Sequence, residues 1–257
     1  MKDLTILYIT DSALDPFLAE RCREFLFQAA NGYRIVSVSQ KPLDFGDNIC
    51  VGDIGRKAIN IDYQIKVGLE MIDTPYVGIA EHDCIYTEEH FNFRPLDPEY
   101  FWYNENNWLV QYKNPLRPEY DGMYSIIKGR IVQSQLVCRT DKMKEVTDIK
   151  LSILSDPEYQ RRYPDRSRVG EPGTNHIKRS ERIFYRNNTA ELRHLWLTLK
   201  DYINNYNAKR WKSKIPNIDI RHGDNFTGQR RGKKRTWNLP PWGEFFSLMN
   251  GTNIEKK

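Results

Sequence analysis

Three adjacent ionisable residues follow an apolar run in the first half of the sequence. Tyr76 to Ala80 is typical of a buried strand, and Glu81, His82 and Asp83 come directly after it. Unpaired charge at a strand end beside the core is costly, and a bound divalent cation would offset that cost. Carboxylate oxygens suit Mg²⁺ or Mn²⁺, ions that keep open positions for phosphate oxygens. The alternative is a turn or a helix N-cap, in which Asp83 caps the residues that follow.

Strand geometry predicts which of these side chains lie together. Only alternate side chains face the same way along an extended segment. We therefore expect Glu81 and Asp83 to project together and His82 to project away from them.

The elements before this cluster alternate between strand and helix. Strands are predicted over Leu4–Thr10, Tyr33–Ser39 and Tyr76–Ala80, with a helical pattern between each pair. This order predicts a parallel sheet built from right-handed crossovers. Ligands bind such sheets at the carboxyl ends of the strands. Those ends are Thr10-Asp11, the loop after Ser39, and the Glu81–Asp83 cluster.

Capping residues and apolar spacing define the two helices. The first begins with Asp15 as N-cap and Pro16 in its first turn, and Asn31-Gly32 ends it. A loop rich in Gly, Asp and Asn is predicted over residues 41–55. The second helix follows, with apolar residues at helical spacing on one face: Ala58, Ile61, Ile65 and Leu69.

After residue 100 the pattern predicts strands in a mixed or antiparallel arrangement. A helix is predicted over Asp141–Leu154, with Thr140 or Asp141 as its cap. Residues 155–190 are predicted to form a long loop, 190–206 a helix, and the tail from Ile218 a loop. The strands predicted here are Phe101–Asn104, Trp108–Tyr112 and Ile131–Cys138.

The composition is that of a globular protein, with 39% hydrophobic and 28% charged residues in 257. These values exclude intrinsic disorder and suit one large α/β domain. The four cysteines form no C-x-x-C pair, which favours a reduced, cytoplasmic protein. No apolar stretch reaches the length of a membrane span and no signal peptide is indicated, so we expect no membrane span.

The net charge of +5 is distributed unevenly. The first 110 residues are acidic, whereas most arginines come after Lys142, which favours phosphate-bearing ligands for the second half. The densest basic run covers residues 230–235. We expect Arg230 and Arg231 to bind the phosphates of a donor, the alternatives being acceptor phosphates, a nucleic-acid backbone among them, or a solvated basic loop.

The acidic cluster and its surroundings resemble a known family. The segment from Pro75 to Tyr86, with His90-Phe91 after it, is similar to the D-x-D region of glycosyltransferases of the GT-A fold. The resemblance is to a family-2-like branch from bacteria and phages, in which the motif reads E-H-D. It covers most of the chain in order, with gaps. The other similar segments are Gly55-Arg56 with Asn60 and Gln64, Ile220–Gly228, and Pro241–Gly243.

The resemblance implies a fold and an activity. The fold is α/β of the GT-A (Rossmann-like) type, with a mostly parallel central sheet flanked by helices and a mixed or antiparallel second half. One domain would cover residues 1–257, with a nucleotide-sugar-binding half (1–100) and an acceptor-binding half with the basic C-terminal loop (101–257). The activity would be metal-dependent transfer of a hexosyl or pentosyl group to a hydroxyl, with a UDP-sugar as the commonest donor.

The resemblance also assigns a metal site. The last Asp of the motif coordinates Mn²⁺ or Mg²⁺ on the donor diphosphate in such enzymes, and here that residue is Asp83. Glu81 would be a second carboxylate that contacts the metal or the ribose. A late histidine often completes the site, and His222 is placed for that role. The alternative for His222 is a histidine in a surface loop.

Donor contacts are expected at two further places. By the resemblance, Thr10 and Asp11 would approach the nucleotide base and ribose; the alternative is that Asp11 only begins a turn. Arg56 stands at a helix start, where backbone N–H groups favour anions, and is a candidate for the diphosphate. Its alternative is an exposed arginine.

An inverting transfer needs a general base for the acceptor proton. We expect Glu171 in this role, because the glycines and the proline around it fix its backbone. Glu181 and Asp165 are the rivals, and a turn carboxylate is the alternative. A retaining enzyme would use no such base.

The acceptor and the runner-up functions stay open at this point. Interleaved Tyr, Trp and basic residues favour a hydroxymethylated pyrimidine in phage DNA, which would place the protein in the host cytoplasm. A cell-surface or lipid-linked glycan is the competing acceptor. A non-enzymatic nucleic-acid-binding protein would leave the acidic cluster unexplained. A nucleotidyltransferase would need a Gly-rich phosphate loop, which Thr10–Asp15 is not.

Overall fold

The computed structural model describes residues 2–113, 118–126, 129, 131–162, 169–173, 197–198, 206–223 and 239–250. In chain order, its strands are β1 (Leu4–Thr10), β2 (Arg34–Ser39), β3 (Asp47–Cys50), β4 (Tyr76–Glu81), β5 (Cys84–Ile85), β6 (Phe101–Asn104), β7 (Asn107–Gln111), β8 (Tyr124–Ile126), β9 (Leu136–Arg139), β10 (Ala208–Trp211) and β11 (Asn217–Arg221). Its α-helices are α1 (Pro16–Ala30), α2 (Ala58–Glu70), α3 (Glu88–Asn92), α4 (Thr140–Leu154), α5 (Pro157–Arg162) and α6 (Phe245–Met249).

The strands form two sheets. The larger has seven strands in the order β10-β6-β9-β4-β1-β2-β3, and only β9 runs against the others. The smaller has the order β5-β11-β7-β8, with β7 parallel to β11 and the outer strands antiparallel to their neighbours. The predicted α/β fold is confirmed, with a mostly parallel central sheet flanked by helices and a mixed second half.

The central sheet is covered by helices on both faces. Side chains alternate along β1, so that Leu7 and Ile9 join a core with α2 and α4, whereas Ile6 and Tyr8 join a core with α1. Helix α2 lies close to the sheet at Gly68, where an added Cβ would come 2.2 Å from Leu7 Cδ1. A strand that is buried on both faces reads as a continuous apolar run, which is why the sequence pattern located it.

The ends of α1 follow the predicted capping signals. Asp15 accepts a hydrogen bond from the Leu18 N–H (3.1 Å) and Pro16 is the first helical residue. Asn31 ends the helix in the left-handed conformation (φ 42°), as its type allows. In the described part of the chain, no helix is both long and apolar enough to cross a membrane.

Helix α4 begins one residue earlier than predicted. Thr140 is already helical and Arg139 occupies the capping position without a side-chain cap, so the prediction of Thr140 or Asp141 as cap is wrong. The Thr140 hydroxyl instead donates to the Thr74 carbonyl (2.7 Å). A tertiary contact to the loop before β4 has therefore replaced the local cap.

Several segments differ from the predicted pattern, and α6 lies inside the predicted C-terminal loop. β3 lies inside the predicted loop 41–55 and pairs with β2 at the sheet edge, where polar residues are tolerated. Gln133–Gln135 forms a 3₁₀ turn, so the strand predicted over Ile131–Cys138 begins only at Leu136. Helix α5 interrupts the predicted loop 155–190, and β11 replaces the start of the predicted C-terminal loop. Of the predicted helix 190–206, most lies outside the described residues.

A buried ion pair joins α2 to α4. Lys150 Nζ lies 2.7 Å from Asp62 Oδ1, and both side chains are about 95% buried, with exposures of 6% and 5%. Burial by itself lowers the pKa of Lys150, but the carboxylates of Asp62 and Glu171 outweigh it and the pKa is raised. Loss of the ammonium would leave the Asp62 carboxylate buried without its ion-pair partner.

We expect Lys150→Met to lower the free energy of unfolding by about 3–5 kcal/mol, because a carboxylate stays buried unpaired. Urea denaturation at pH 7.5 measures this. Lys66→Met is the matched control, since Lys66 pairs with Asp148 between the same two helices but both side chains are exposed, and its cost should stay within about 1 kcal/mol. Equal losses in the two variants would contradict the prediction.

His90 in α3 is buried without a hydrogen bond to either ring nitrogen from the described residues. Its ring stacks on Trp211 and packs on Tyr86, with centroid distances of 6.0 and 5.4 Å. Burial lowers the pKa of His90 from 6.5 to about 3. The folded protein therefore holds a neutral imidazole where the unfolded chain would take up a proton below pH 6.5.

This difference makes part of the stability depend on pH. The contribution of His90 is present above pH 6.5 and is lost as the pH falls towards 3, at about 1.4 kcal/mol per pH unit. Between pH 8 and pH 5, we expect the free energy of unfolding of His90→Leu to fall by about 2 kcal/mol less than that of the wild type. Urea denaturation at both pH values measures the difference. Equal acid sensitivity in the two proteins would show that His90 does not control it.

Candidate functional site

The acidic cluster lies where two parallel strands of the central sheet end together. β1 and β4 are neighbours, with Ile9 opposite Glu81. β4 ends at Glu81, His82 and Asp83 form a turn, and β5 begins at Cys84. Thr10 and Asp11 therefore lie beside the cluster at the carboxyl ends of the strands, because neighbouring parallel strands end on the same side of the sheet.

The smaller sheet brings His222 to the same edge. Asp219 in β11 pairs with Cys84 in β5, and the Ile220 N–H donates to the Asp83 carbonyl at 2.8 Å. His222 follows directly after β11. Its Nε2 lies 3.7 Å from Asp83 Oδ2. This contact supports the prediction that His222 is a late partner of Asp83. The alternative, a histidine in a surface loop, is wrong because His222 is only 5% exposed.

Among the described residues, two overlapping groups of side chains that could hold a metal ion share Asp83. His82, Asp83 and His222 each offer one ligand atom, and these atoms lie within 4.8 Å of one another. Glu81, Asp83 and Cys84 form the second group by the same measure. Glu81 and His222 are not together in either group. Asp83 is the common member and is 7% exposed.

The prediction that His82 projects away from Asp83 is wrong. It assumed that the extended conformation continues through Asp83, but β4 ends at Glu81 and the chain turns. The strict alternation of side chains ends with the strand. The turn places a nitrogen of His82 within 4.8 Å of Asp83 and His222, with the two imidazole centroids 6.2 Å apart. The sequence expectation thus missed His82 as a site residue.

The end of β1 holds the His82 ring. His82 Nδ1 lies 2.8 Å from Thr10 Oγ1 and 3.4 Å from Asp11 Oδ1. The Ser12 N–H donates to Thr10 Oγ1 (3.0 Å), with Ser12 in the left-handed region at φ 59°. The turn after β1 is therefore fitted to one nitrogen of His82.

Asp11 also receives the arginine predicted to bind phosphate. Arg56 Nε donates to Asp11 Oδ2 at 2.6 Å, and the Ala13 N–H donates to Asp11 Oδ1 at 3.0 Å. Burial raises the pKa of Asp11. His82, the Ala13 N–H and Arg56 together lower this pKa by a larger amount, so the net shift is downward. Thr10, Asp11 and Arg56 thus lie next to the cluster. Asp11 also takes part in the turn after β1, as the alternative prediction stated, because it accepts the Ala13 N–H.

Two glutamines fix the loops at this edge. Gln64 in α2 donates from Nε2 to the carbonyls of Thr10 (2.8 Å) and Val38 (3.1 Å), at the ends of β1 and β2. Gln40 Nε2 donates to the Gly55 carbonyl (2.8 Å), immediately before Arg56. These amide hydrogen bonds satisfy backbone carbonyls and fix the position of the chain segments that carry them.

Two histidines and an arginine lie around Asp83. Burial raises the pKa of Asp83, but the His222 contact, then His82, then Arg221 outweigh it, and the pKa falls far below its usual range. Arg221 Nη2 lies 2.8 Å from Asp219 Oδ2, and both side chains are 5% exposed. The sequence expectation missed this pair, although its i, i+2 spacing on a strand was a signal that both side chains share one face.

Glu171 lies apart from the groups that meet at Asp83. It acts on the buried Lys150, next to Asp62. Its loop is anchored by Tyr103 Oη, which donates to the Pro172 carbonyl at 2.9 Å. At Gly173 (φ +69°) a Cβ would come 2.4 Å from Asn207, so the loop requires glycine there.

Several predicted residues lie outside the described part of the chain. These are the basic residues Arg230 and Arg231 and the rival bases Asp165 and Glu181. Their predicted roles stay predictions.

The residues present suit a divalent cation. One carboxylate and two imidazoles converge at Asp83, and this is a donor set that binds divalent cations. Cys84 fits less well, because burial and then the neighbouring carboxylates raise its pKa well above the usual value and favour the thiol.

No protein-family model matches the sequence, and no curated protein sequence matches it. Some solved structures are similar. The bifunctional IspDF from Campylobacter jejuni has 13% identity and a TM-score of 0.39, over 64% of this chain and 48% of that chain, so the match spans about half of IspDF. A glycosyltransferase involved in glycosylation of the major capsid of PBCV-1 has 14% identity and a TM-score of 0.37, over 63% and 74% of the chains.

A third similar structure is a variant of Drosophila beta-1,4-galactosyltransferase 7 in complex with manganese, UDP-Gal and xylobiose. It has 11% identity and a TM-score of 0.36, over 99% of this chain and 82% of that chain. Two of these three structures are thus glycosyltransferases by name. At such identities and TM-scores none of them establishes the activity of this chain.

Proposed function

We propose that this protein is a metal-dependent glycosyltransferase of the GT-A type that transfers a hexosyl or pentosyl group from a nucleotide-sugar to a hydroxyl. The observation that carries the proposal is the convergence of Asp83 and His222 at the carboxyl edge of the central sheet, beside Thr10, Asp11 and Arg56. Such edges bind nucleotides in parallel α/β sheets. The E-H-D segment supports the same assignment through its family resemblance.

In the proposed metal site, Asp83 and His222 hold Mn²⁺ or Mg²⁺, with Glu81 as a further carboxylate for the metal or the ribose. When bound, the metal neutralises charge on the diphosphate leaving group. Asp83 is suited to this because its carboxylate belongs to both groups of candidate ligands. His222 is suited because it lies against Asp83 within the protein rather than in solvent.

Donor binding in this proposal uses the first half of the domain, residues 1–100. Thr10 and Asp11 lie at the end of β1 and contact the base and ribose of a nucleotide, with UDP as the donor nucleotide of first choice. Arg56 is held by Asp11 at the end of the loop before α2, within reach of a diphosphate. Arg230 and Arg231 bind the same phosphates from the basic C-terminal run.

The acceptor in this proposal is bound by residues 101–257. Glu171 takes the proton from the acceptor hydroxyl in an inverting transfer. Glu171 lies near Lys150, because its carboxylate contributes to the raised pKa of Lys150. A hydroxymethylated pyrimidine in phage DNA suits the basic second half, and a cell-surface glycan is the alternative acceptor.

A non-enzymatic nucleic-acid-binding protein is the second candidate function. The net charge of +5 and the basic run over 230–235 favour it. An acidic centre at the sheet edge opposes it, because Asp83, Glu81 and Asp11 repel phosphate unless a cation is present.

We expect nucleotide binding to require both a metal and Asp83. A nucleotide diphosphate at about 100 times its dissociation constant should raise the free energy of unfolding by roughly 2.7 kcal/mol, and only with Mn²⁺ or Mg²⁺. A thermal-shift screen of nucleoside diphosphates and nucleotide-sugars, with and without metal, measures this. Asp83→Asn should abolish the shift because it removes the charged ligand.

The control for this screen is Asp148→Asn, which removes an exposed carboxylate that pairs with Lys66 and should leave the shift unchanged. Melting without ligand establishes that both variants are folded. A nucleotide shift that persists in Asp83→Asn or without metal would contradict the proposed site. No nucleotide shift together with tight binding to DNA would favour the nucleic-acid-binding function.

We expect Glu171→Gln to slow sugar transfer by roughly 10²–10⁴-fold, the typical contribution of a general base. Metal-dependent binding of the donor should stay unchanged, since Glu171 lies apart from the metal cluster. Donor turnover with water or a supplied acceptor measures the rate, and thermal shift measures donor binding. The control is Glu70→Gln at the exposed end of α2. An unchanged rate would exclude Glu171 as the base.

A further inference from the structure

The His82 imidazole has one nitrogen engaged by protein groups. Nδ1 lies 2.8 Å from Thr10 Oγ1 and 3.4 Å from Asp11 Oδ1. Thr10 Oγ1 already accepts the Ser12 N–H, and Asp11 is held by Arg56 and the Ala13 N–H. These contacts fix the orientation of the ring. Among the described residues the hydrogen bonds of the ring go to Nδ1, so Nε2 is the nitrogen available to a ligand.

This arrangement has the form of a supported metal ligand. Histidines that bind metals donate their other ring N–H to a carboxylate, a carbonyl or a hydroxyl, which fixes the tautomer and the ring direction. Asp11 and Thr10 supply that support to His82. One nitrogen of the same imidazole lies within 4.8 Å of ligand atoms of Asp83 and His222.

We propose that His82 is a metal ligand through Nε2, together with Asp83 and His222, and that the site therefore binds transition-metal ions in preference to Mg²⁺. The inference rests on the metal site of the proposed function and specifies its ligands and its ion. It replaces Glu81 by His82 as the third ligand, because Glu81 and His222 do not share a ligand group whereas His82 and His222 do.

The donor set decides which ions fit. Two imidazoles and one carboxylate suit ions that accept nitrogen, such as Co²⁺ and Zn²⁺, while Mg²⁺ prefers oxygen ligands throughout. Affinity for a mixed nitrogen and oxygen site rises from Mn²⁺ to Co²⁺ and further along the series. A site with Glu81, Asp83 and only one histidine would discriminate less against Mg²⁺.

The experiment titrates the folded protein with Co²⁺ and follows the visible absorption of the bound ion, which reports nitrogen ligation independently of any activity. Competition with Mg²⁺ and Mn²⁺ then gives the order of affinities. We expect Co²⁺ to bind more tightly than Mn²⁺ and Mn²⁺ more tightly than Mg²⁺. His82→Gln should weaken Co²⁺ binding by roughly tenfold or more and change the absorption spectrum.

Matched variants separate this inference from the proposed function. His90→Leu removes a buried histidine outside the cluster and should leave the Co²⁺ spectrum unchanged. Thr10→Val removes the hydroxyl at Nδ1 and should weaken Co²⁺ binding in the same direction as His82→Gln, and it serves if His82→Gln does not fold. Asp83→Asn tests the metal site itself.

Each outcome decides one point. Weakened Co²⁺ binding and an altered spectrum in His82→Gln or Thr10→Val support His82 as a ligand. Metal binding that depends on Asp83 but is unchanged in spectrum and affinity by His82→Gln and Thr10→Val overturns the inference and leaves the proposed function intact. A wild-type protein that binds none of the three ions overturns the metal site and the inference together.

Discussion

One backbone hydrogen bond joins the two sheets at the candidate site. The Ile220 N–H donates to the Asp83 carbonyl, and β11 is paired with β5 at the next residue. This contact is what brings His222 from the second half of the chain to the turn after β4. Since the bond uses main-chain groups, the position of the cluster follows from how the sheets dock rather than from the side chains of the cluster. If β11 shifted along β5 by one residue, the side chains on β11 would exchange faces.

The buried carboxylates at this junction lie beside nitrogen-bearing side chains. Asp83 faces His222 and His82. Asp219 pairs with Arg221, two residues further along β11. On the α2–α4 side of the sheet the same rule applies to Lys150 and Asp62. In a poorly solvated region a charge is tolerated only with such a partner, which is why a carboxylate can remain ionised at the sheet edge.

The groups at this edge are supported by regular elements. Thr10 and Glu81 are the last residues of two neighbouring parallel strands, and Gln64 ties the end of β1 to α2. Between these elements the chain is irregular, and there Ser12 Oγ accepts a hydrogen bond from the Lys41 N–H, which ties the turn after β1 to the loop after β2. Sites built on the ends of rigid elements keep their geometry better than sites on free loops. This rigidity suits a centre in which several ligand atoms must lie within a few ångströms.

The sequence by itself determined the α/β class, the strands β1, β2 and β4, the caps of α1, and the common edge for Thr10, Asp11 and Asp83. Those features depend on local periodicity, on capping residues and on the common side at which neighbouring parallel strands end. All three can be identified from the order of residues in the sequence. The direction of His82 and the burial of the Asp219–Arg221 pair were decided only by the tertiary structure. The alternation of polar and apolar residues over 217–221 is itself typical of a strand, but it does not show that the polar face is buried as well, and a side chain in a turn points where distant partners hold it. Which segments meet is set by burial and hydrogen bonding between parts of the chain that are far apart in sequence, and no local pattern records it.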